Sequence, residues 1–265
     1  MYSPFQLAVK YFKHWFSASN GKGHGMHSPF VFEFIAKVLN DKTVYPEYEK
    51  VEALRNILLD NSTVLEVEDF GAGSVIDKKS KRSISSIAKN AAKPKKFGQL
   101  LFRMVKYYQP AIILELGTSL GITTSYLSLA KPGAILITME GSDEIANVGK
   151  QNFKALELKN VELIEGNFDN TLSSVVRGLS SIDFAFIDGN HRKEPTERYF
   201  KELLAKTNND SILVFDDIHW SREMEAAWEI IKDHEAVRCS IDLFFIGIVF
   251  FRKEFKEKQH FVIRF

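Results

Sequence analysis

The stretch that most constrains this chain is residues 112–140, IILELGTSLGITTSYLSLAKPGAILITME. A short apolar run at Ile112, Ile113 and Leu114 enters Glu115-Leu116-Gly117, and Gly121 follows. Helix-forming residues begin at Thr123, and Lys131-Pro132-Gly133 breaks them. A second apolar run then ends on Glu140. The pattern predicts strand, glycine turn, helix, turn and strand, the smallest parallel βαβ unit. Its right-handed crossover leaves the glycine turn at the carboxyl edge of the sheet, where open α/β folds bind ligands.

Gly117 and Gly121 let the backbone come close to a ligand, and the helix that follows offers free N–H groups and a positive dipole end. Glu140 stands at the end of the second strand, where an acid accepts both hydrogen bonds of a ribose diol. A dinucleotide site uses G-x-G-x-x-G. Here Glu115-x-Gly117-x-x-x-Gly121 lacks the middle glycine and keeps an acid at the strand end. Such an acid suits a ligand carrying an ammonium or a sulfonium rather than a diphosphate. The competing reading is a structural turn in some other Rossmann-like protein.

Composition narrows the classes. The 265 residues are 45% hydrophobic, enough for one large core with a small N-terminal addition. A net charge of +1 creates no global field calling for nucleic acid or a membrane. The single cysteine, Cys239, excludes an intrachain disulfide and a cysteine zinc cluster, and fits a reducing cytoplasm. No apolar run approaches the roughly 20 residues of a membrane span. Lys10, Lys13 and His14 interrupt the aromatic N-terminus, which is therefore no signal peptide.

Before the βαβ unit, residues 4–18 predict an amphipathic helix with Phe5, Val9, Phe12 and Phe16 on one face. That face would pack on the domain or on a partner subunit, as in a homodimer; attachment to a membrane surface is the alternative. Residues 20–27 form a glycine-rich loop whose His24 and His27 either reach a site or stay solvated. Ser28 and Pro29 are cap and first residue of a helix over 30–39. Another helix covers 47–59. Residues 64–74 imitate a strand running into a glycine turn, but the charged run at 77–82 is unfit to open a buried helix. No strand with a terminal acid follows at the right distance, so this is not the cofactor turn. Residues 69–74 are expected to act as a lid or substrate-side loop, and the basic runs at 78–82 and 93–96 as solvated faces. A helix over 98–108 leads into the core sheet.

From residue 112 onward strands and helices alternate regularly. Further strands fall at 161–164, 184–187 and 212–215, and helices at 123–130, 143–156, 172–178, 195–206 and 222–234. Two apolar strands near 237–242 and 247–252 close the chain, and residues 260–265 read as an extra edge strand or clamp. The five parallel strands end at Glu115, Glu140, Glu165-Gly166-Asn167, Asp188 and Asp216-Asp217. In a parallel sheet these ends share one rim, and a buried rim of acids and amides is costly unless a ligand or metal satisfies it. Turn or cap roles are the bland alternatives for Asp188, Asp216 and Asp217, and Glu165 is expected to face solvent.

The 115–121 turn resembles the first motif of class I S-adenosylmethionine-dependent methyltransferases. The string 183–191 (DFAFIDGNH) with 214–220 (VFDDIHW) resembles their catechol O-methyltransferase-like branch, over roughly residues 95–252. The resemblance implies a Rossmann-like, doubly wound α/β fold with a mostly parallel seven-stranded sheet, a terminal antiparallel hairpin and an N-terminal helical extension. It implies residues 1–94 as that extension, with a lid-like segment, and 95–265 as the cofactor-binding methyltransferase domain. The implied cofactor residues are Glu115, Gly117, Thr118, Ser119 and Gly121 for the methionine part. Glu140 is implied for the ribose, Gly141 and Ser142 beside the adenosine, Asn167 and Phe168 beside the adenine, and Asp188 as a further cofactor residue. Asp188, Asp216 and Asp217 are the implied ligands of a divalent ion, Mg²⁺, Mn²⁺ or Ca²⁺. Asp188, Asp217, His191 and His219 are the catalytic candidates, the histidines as general bases. Asp-Gly-Asn-His departs from the branch's usual continuation and bears on the metal. The implied reaction is O-methyl transfer to a small molecule. A nicotinamide-dependent oxidoreductase and a silent binding module are the rival classes.

Overall fold

The computed structural model describes residues 1–68 and 79–265. The expected lid at 69–74 and the head of the charged run, residues 77–78, lie outside the described residues. The chain divides into two compact units, Lys42–Ser173 and a discontinuous one made of Met1–Asp41 with Ser174–Phe265. The discontinuous unit opens with α1 (Pro4–Ser17), whose first turn is closed by a reciprocal capping box between Ser3 and Gln6. α2 (Pro29–Phe34) follows and relaxes into one π-helical turn, Ile35–Leu39, within the single helix expected there. The Ser28 carbonyl, not its hydroxyl, takes the first helical bond, from Phe32.

The contiguous unit runs α3 (Pro46–Leu59), β1 (Val64–Glu68), β2 (Lys79–Ser83), α4 (Ile84–Asn90) and α5 (Lys95–Tyr108), then the core alternation. β1 and β2 pair antiparallel as a separate two-stranded sheet. That pairing rules out a parallel crossover after residue 68 and accounts for the charged run, whose tail is a strand. β3 (Ile112–Leu116), α6 (Ile122–Ala130), β4 (Ile135–Glu140), α7 (Asp143–Ala155) and β5 (Val161–Glu165) build two successive βαβ steps. β3 pairs parallel with β4 and β4 with β5. Every residue of β3 is buried, as expected of a parallel strand covered on both faces.

α8 (Phe168–Gly178) carries the chain back to the discontinuous unit, which continues with β6 (Phe184–Ile187), α9 (Lys193–Leu204), β7 (Ile212–Asp216) and α10 (Arg222–Asp233). β8 (Cys239–Asp242), β9 (Ile246–Phe250) and β10 (Gln259–Val262) end it. β6 and β7 are parallel, β9 runs antiparallel to both β7 and β8, and β10 is parallel to β8. The tail is thus an edge strand, so among the described residues the mostly parallel sheet has eight strands where seven were expected. Ser19 covers this edge: its N–H donates to the Val262 carbonyl at 2.8 Å, and its carbonyl accepts from Arg264 N–H at 3.1 Å. Among the described residues no helix is long and apolar enough to cross a membrane.

α1 is fastened to its unit by charge rather than by apolar burial; it has no buried residue. The Glu225 carboxylate accepts from Lys10 Nζ at 2.9 Å and from the Tyr2 hydroxyl at 2.6 Å. His219 bridges onward, with Nδ1 3.2 Å from Glu225 and Nε2 2.8 Å from Asp242. His14 Nε2 closes the chain 3.3 Å from the other Asp242 oxygen. The Phe244 ring stacks on His219, with centroids 5.1 Å apart. Burial disfavours the His219 cation, but its bonds to Asp242 and Glu225 outweigh burial and raise it above the ordinary imidazole value. Burial likewise works against the Asp242 and Glu225 carboxylates, yet their hydrogen-bonded partners hold both below the usual range.

A raised imidazole contributes stability in full below its unfolded value of about 6.5, and that contribution is lost as pH climbs through the higher folded value. The lowered carboxyls contribute above about pH 4 and lose their contribution only as pH falls through their folded values. The clamp is therefore tightest between about pH 4 and 6.5. His260, lowered by its own burial, titrates below that window's upper end. Hydrogen-exchange protection of α1, and the Tm, are expected to fall from pH 6.5 to 8 and to stay flat over that interval in His219→Gln. Equal slopes in the two proteins would refute the assignment.

Candidate functional site

In the contiguous unit the strand–turn–helix of residues 112–130 is locked by side chains from β4. Parallel register sets Thr138 beside Glu115. The wholly buried Glu115 carboxylate accepts from Thr138 Oγ1 at 2.6 Å and from Thr124 Oγ1 at 2.5 Å. Glu115 thus joins β3, α6 and β4 from inside, beneath the turn, instead of standing open at a rim. Thr118, a cofactor candidate, hydrogen-bonds Thr138 through its hydroxyl at 2.6 Å. A lone threonine in the apolar run ILITM was the signal that a polar partner lay beneath the turn.

The turn above has a left-handed backbone at Gly117, Ser119 and Gly121. Gly117 N–H and Thr118 N–H both donate to the Met139 carbonyl at 3.0 Å. Gly121, the first residue of the α6 cap, has no space for a side chain: a Cβ would come 2.4 Å from the Phe153 ring. A non-glycine residue in this conformation costs on the order of 1 kcal/mol or more, and at Ser119 the turn is held by Glu140. The Glu140 carboxylate accepts from Ser119 N–H at 2.8 Å and from Ser142 N–H at 3.0 Å. One side chain at the end of β4 therefore braces both the 117–121 turn and the 141–142 turn. A carboxylate offers about four lone-pair directions, and these two N–H groups approach one oxygen each. Gly141 lies between the two braced residues and is half-buried.

Asn167 begins α8: its Oδ1 accepts from Asp169 N–H at 2.9 Å and its carbonyl accepts from Asn170 and Thr171 N–H. It has the geometry of a helix-start residue, next to the half-buried Phe168. Gly166 before it, at φ +121°, donates to the Glu140 carbonyl at 2.8 Å. Glu165 is exposed and paired with Lys150, as expected of a solvent-facing acid.

The discontinuous unit assembles the other candidates. β6 and β7 run parallel with Ile187 beside Phe215, so the residues that follow, Asp188 and Asp216, are neighbours. Asn190 takes a left-handed conformation at φ +53°, and the chain folds back so that His191 Nε2 lies 3.4 Å from Asp188 Oδ1. Asp188, His191 and Asp216 each present a ligating atom, all within 4.8 Å of one another. Asp216 is buried; Asp188 and His191 are half-buried. The Trp220 ring lies edge-on to His191, with centroids 5.6 Å apart. The group differs from the expected Asp188–Asp216–Asp217 set by one member. Asp217 sits in a left-handed turn at φ +51°, its N–H on the Phe245 carbonyl and its carbonyl accepting from Trp220 N–H. It stands outside the group, and His191 takes the third place. His219, the other base candidate, has a carboxylate on each ring nitrogen and belongs to the α1 clamp. His24 and His27 are exposed.

Comparison with known proteins bears on this geometry. Residues 114–218 match the family model described as a methyltransferase domain. No curated protein matches the chain. Among solved structures, the Podospora anserina methyltransferase PaMTH1, bound to S-adenosylhomocysteine, superposes with a TM-score of 0.59. It is 15% identical, over 85% of this chain and 97% of that one. A Bacillus cereus O-methyltransferase, also with S-adenosylhomocysteine, gives a TM-score of 0.53 at 19% identity, over 83% and 97% of the two chains. TomG of Streptomyces achromogenes, an O-methyltransferase of tomaymycin synthesis bound to S-adenosylmethionine, gives 0.53 at 18%, over 61% and 82%. Residues 114–218 thus resemble a methyltransferase domain, and the chain has the Rossmann-like α/β fold of these solved methyltransferase structures.

Proposed function

We propose that this chain transfers the methyl group of S-adenosylmethionine to a hydroxyl of a small molecule. The 95–265 segment would carry the reaction, with residues 1–94 appended. The cofactor would lie against the turn of Gly117, Thr118, Ser119 and Gly121, with its ribose diol on the Glu140 carboxylate. Ser142, Gly141, Asn167 and Phe168 would border the adenosine. The missing middle glycine and the methyltransferase match speak against a nicotinamide cofactor. Two O-methyltransferases among the solved structures support oxygen as the acceptor atom.

The observation that carries the oxygen assignment is the Asp188–His191–Asp216 group. Transfer to oxygen needs the acceptor hydroxyl deprotonated, whereas the sulfonium leaving group needs no help. Two carboxylates and an imidazole fit a divalent cation, and the imidazole moves the preference from Mg²⁺ or Ca²⁺ toward Mn²⁺ or a later ion. Such a cation, when bound, lowers the pKa of a coordinated hydroxyl. Without it, His191 is the base and Asp188 holds its ring. Both routes use the same residues; in neither does Asp217 or His219 act on the acceptor.

The tests separate cofactor binding from turnover. Glu140→Ala is expected to weaken S-adenosylhomocysteine binding about 10- to 100-fold in calorimetry, the loss of charge-assisted bonds to the ligand. Asp188→Asn and Asp216→Asn should bind S-adenosylhomocysteine like the wild type. They should also lose at least about 100-fold in methyl transfer to whichever phenolic or catecholic hydroxyls the wild type accepts. Full turnover in either would overturn the role of the group. Mn²⁺ titration followed by electron paramagnetic resonance decides between the two routes: binding that His191→Ala abolishes supports the cation.

A further inference from the structure

α1 is built inside out. Lys10, Tyr11 and His14, with Tyr2 just before the helix, touch its own unit through ion pairs, hydrogen bonds and ring contacts on Glu225, Asp242, Phe244 and Phe245, and the Trp15 ring lies under the Arg264 guanidinium. The apolar stripe faces the other way. Phe5 is 78% exposed, Val9 38%, Phe12 61% and Phe16 78%. A globular helix ordinarily does the opposite, with its apolar stripe on the core. Three exposed phenylalanines in line on one surface helix mark an interaction site.

We infer that this stripe is the contact between two copies of the chain, α1 lying antiparallel on α1 across a two-fold axis. The spacing of the stripe carries the argument. Steps of four, three and four residues are the a/d spacing of a helix–helix seam. At 100° per residue the four side chains span an arc of only about 60°, the narrow seam of a paired helix rather than the broad face of one lying in a membrane. The order four–three–four also reads the same in both directions. An antiparallel copy therefore sets Phe5 against Phe16 of the partner subunit and Val9 against Phe12 of the partner subunit, with every position in register. That is the self-complementary patch a two-fold interface requires.

Charge and area agree with a second copy. Residues 1–32 contain no acid, so an acidic partner would be the electrostatic alternative. In this register, however, Lys13 falls opposite Ala8 and Gln6 opposite Trp15, and no like charges meet. At roughly 200 Å² for a full aromatic side chain, the four stripe residues would hide about 500 Å² per copy. The pair then buries on the order of 1,000 Å², the lower bound of a specific interface. The exposed Met1 and the partly exposed Trp15 extend the rim.

Sedimentation equilibrium of the full chain is expected to give twice the chain mass at micromolar concentration. Phe12→Glu, on an exposed side chain, should weaken association at least 100-fold with an unchanged circular-dichroism spectrum and Tm. Phe5→Glu and Phe16→Lys should each be monomeric alone and form a heterodimer when mixed one to one. Only the antiparallel register brings those two positions together. A wild type that stays monomeric at 100 µM would overturn the inference, as would dimers that persist in Phe12→Glu. A mixture of the two charged variants that stays monomeric would overturn the register. A monomer that pellets with phosphatidylserine vesicles would instead assign the stripe to anionic lipid.

Discussion

The glycine turn of residues 117–121 depends on one buried carboxyl group. Glu115 is removed from water altogether, and an isolated carboxylate in such a place would be strongly destabilising. It is tolerated because Thr124 and Thr138 bring hydroxyl donors to it from the next helix and the next strand. The same requirement fixes the relative positions of β3, α6 and β4, and hence the shape of the turn between the first two. Glu140 repeats the device at the surface. There the donors are backbone N–H groups of two turns, so one side chain shapes both.

Much of this was legible in the residues. Apolar runs closed by glycine and an acid located the parallel strands to within a residue or two, because a strand buried on both faces leaves little latitude in sequence. The absent middle glycine pointed to the cofactor class that the solved neighbours hold. The antiparallel β1–β2 pair agrees with excluding the second glycine-rich turn, an exclusion that rested on the charge after residue 76 and on the lack of a following strand with a terminal acid.

The rest was hidden for identifiable reasons. That Asp217 yields its place to His191 depends on two left-handed residues, Asn190 and Asp217, neither of them glycine. Asn and Asp adopt that conformation more readily than most residues, but the letters do not say which of the many in the chain do. His219 looked like a base because it follows an acid pair. Its partners, Glu225 and Asp242, are supplied by a helix and a strand farther along the chain. The amphipathic pattern of α1 was plain, but a pattern gives two faces and not which is turned inward. Here the polar face is, with Lys10 on Glu225 and His14 beside Asp242, and the phenylalanines point outward.

The discontinuity of the second unit sets an order of events during synthesis. Residues 42–173 are contiguous and complete while the ribosome is still adding β6 onward, and domains generally fold as units as they emerge. α1 is made first, yet its anchors come last: Lys10 and Glu225 are 215 positions apart. For most of translation the N-terminal helix therefore has neither its ionic clasp nor a cover for its phenylalanines. Nascent chains on one polysome would carry that bare stripe side by side, the situation in which chaperone capture or early pairing of neighbouring chains matters most.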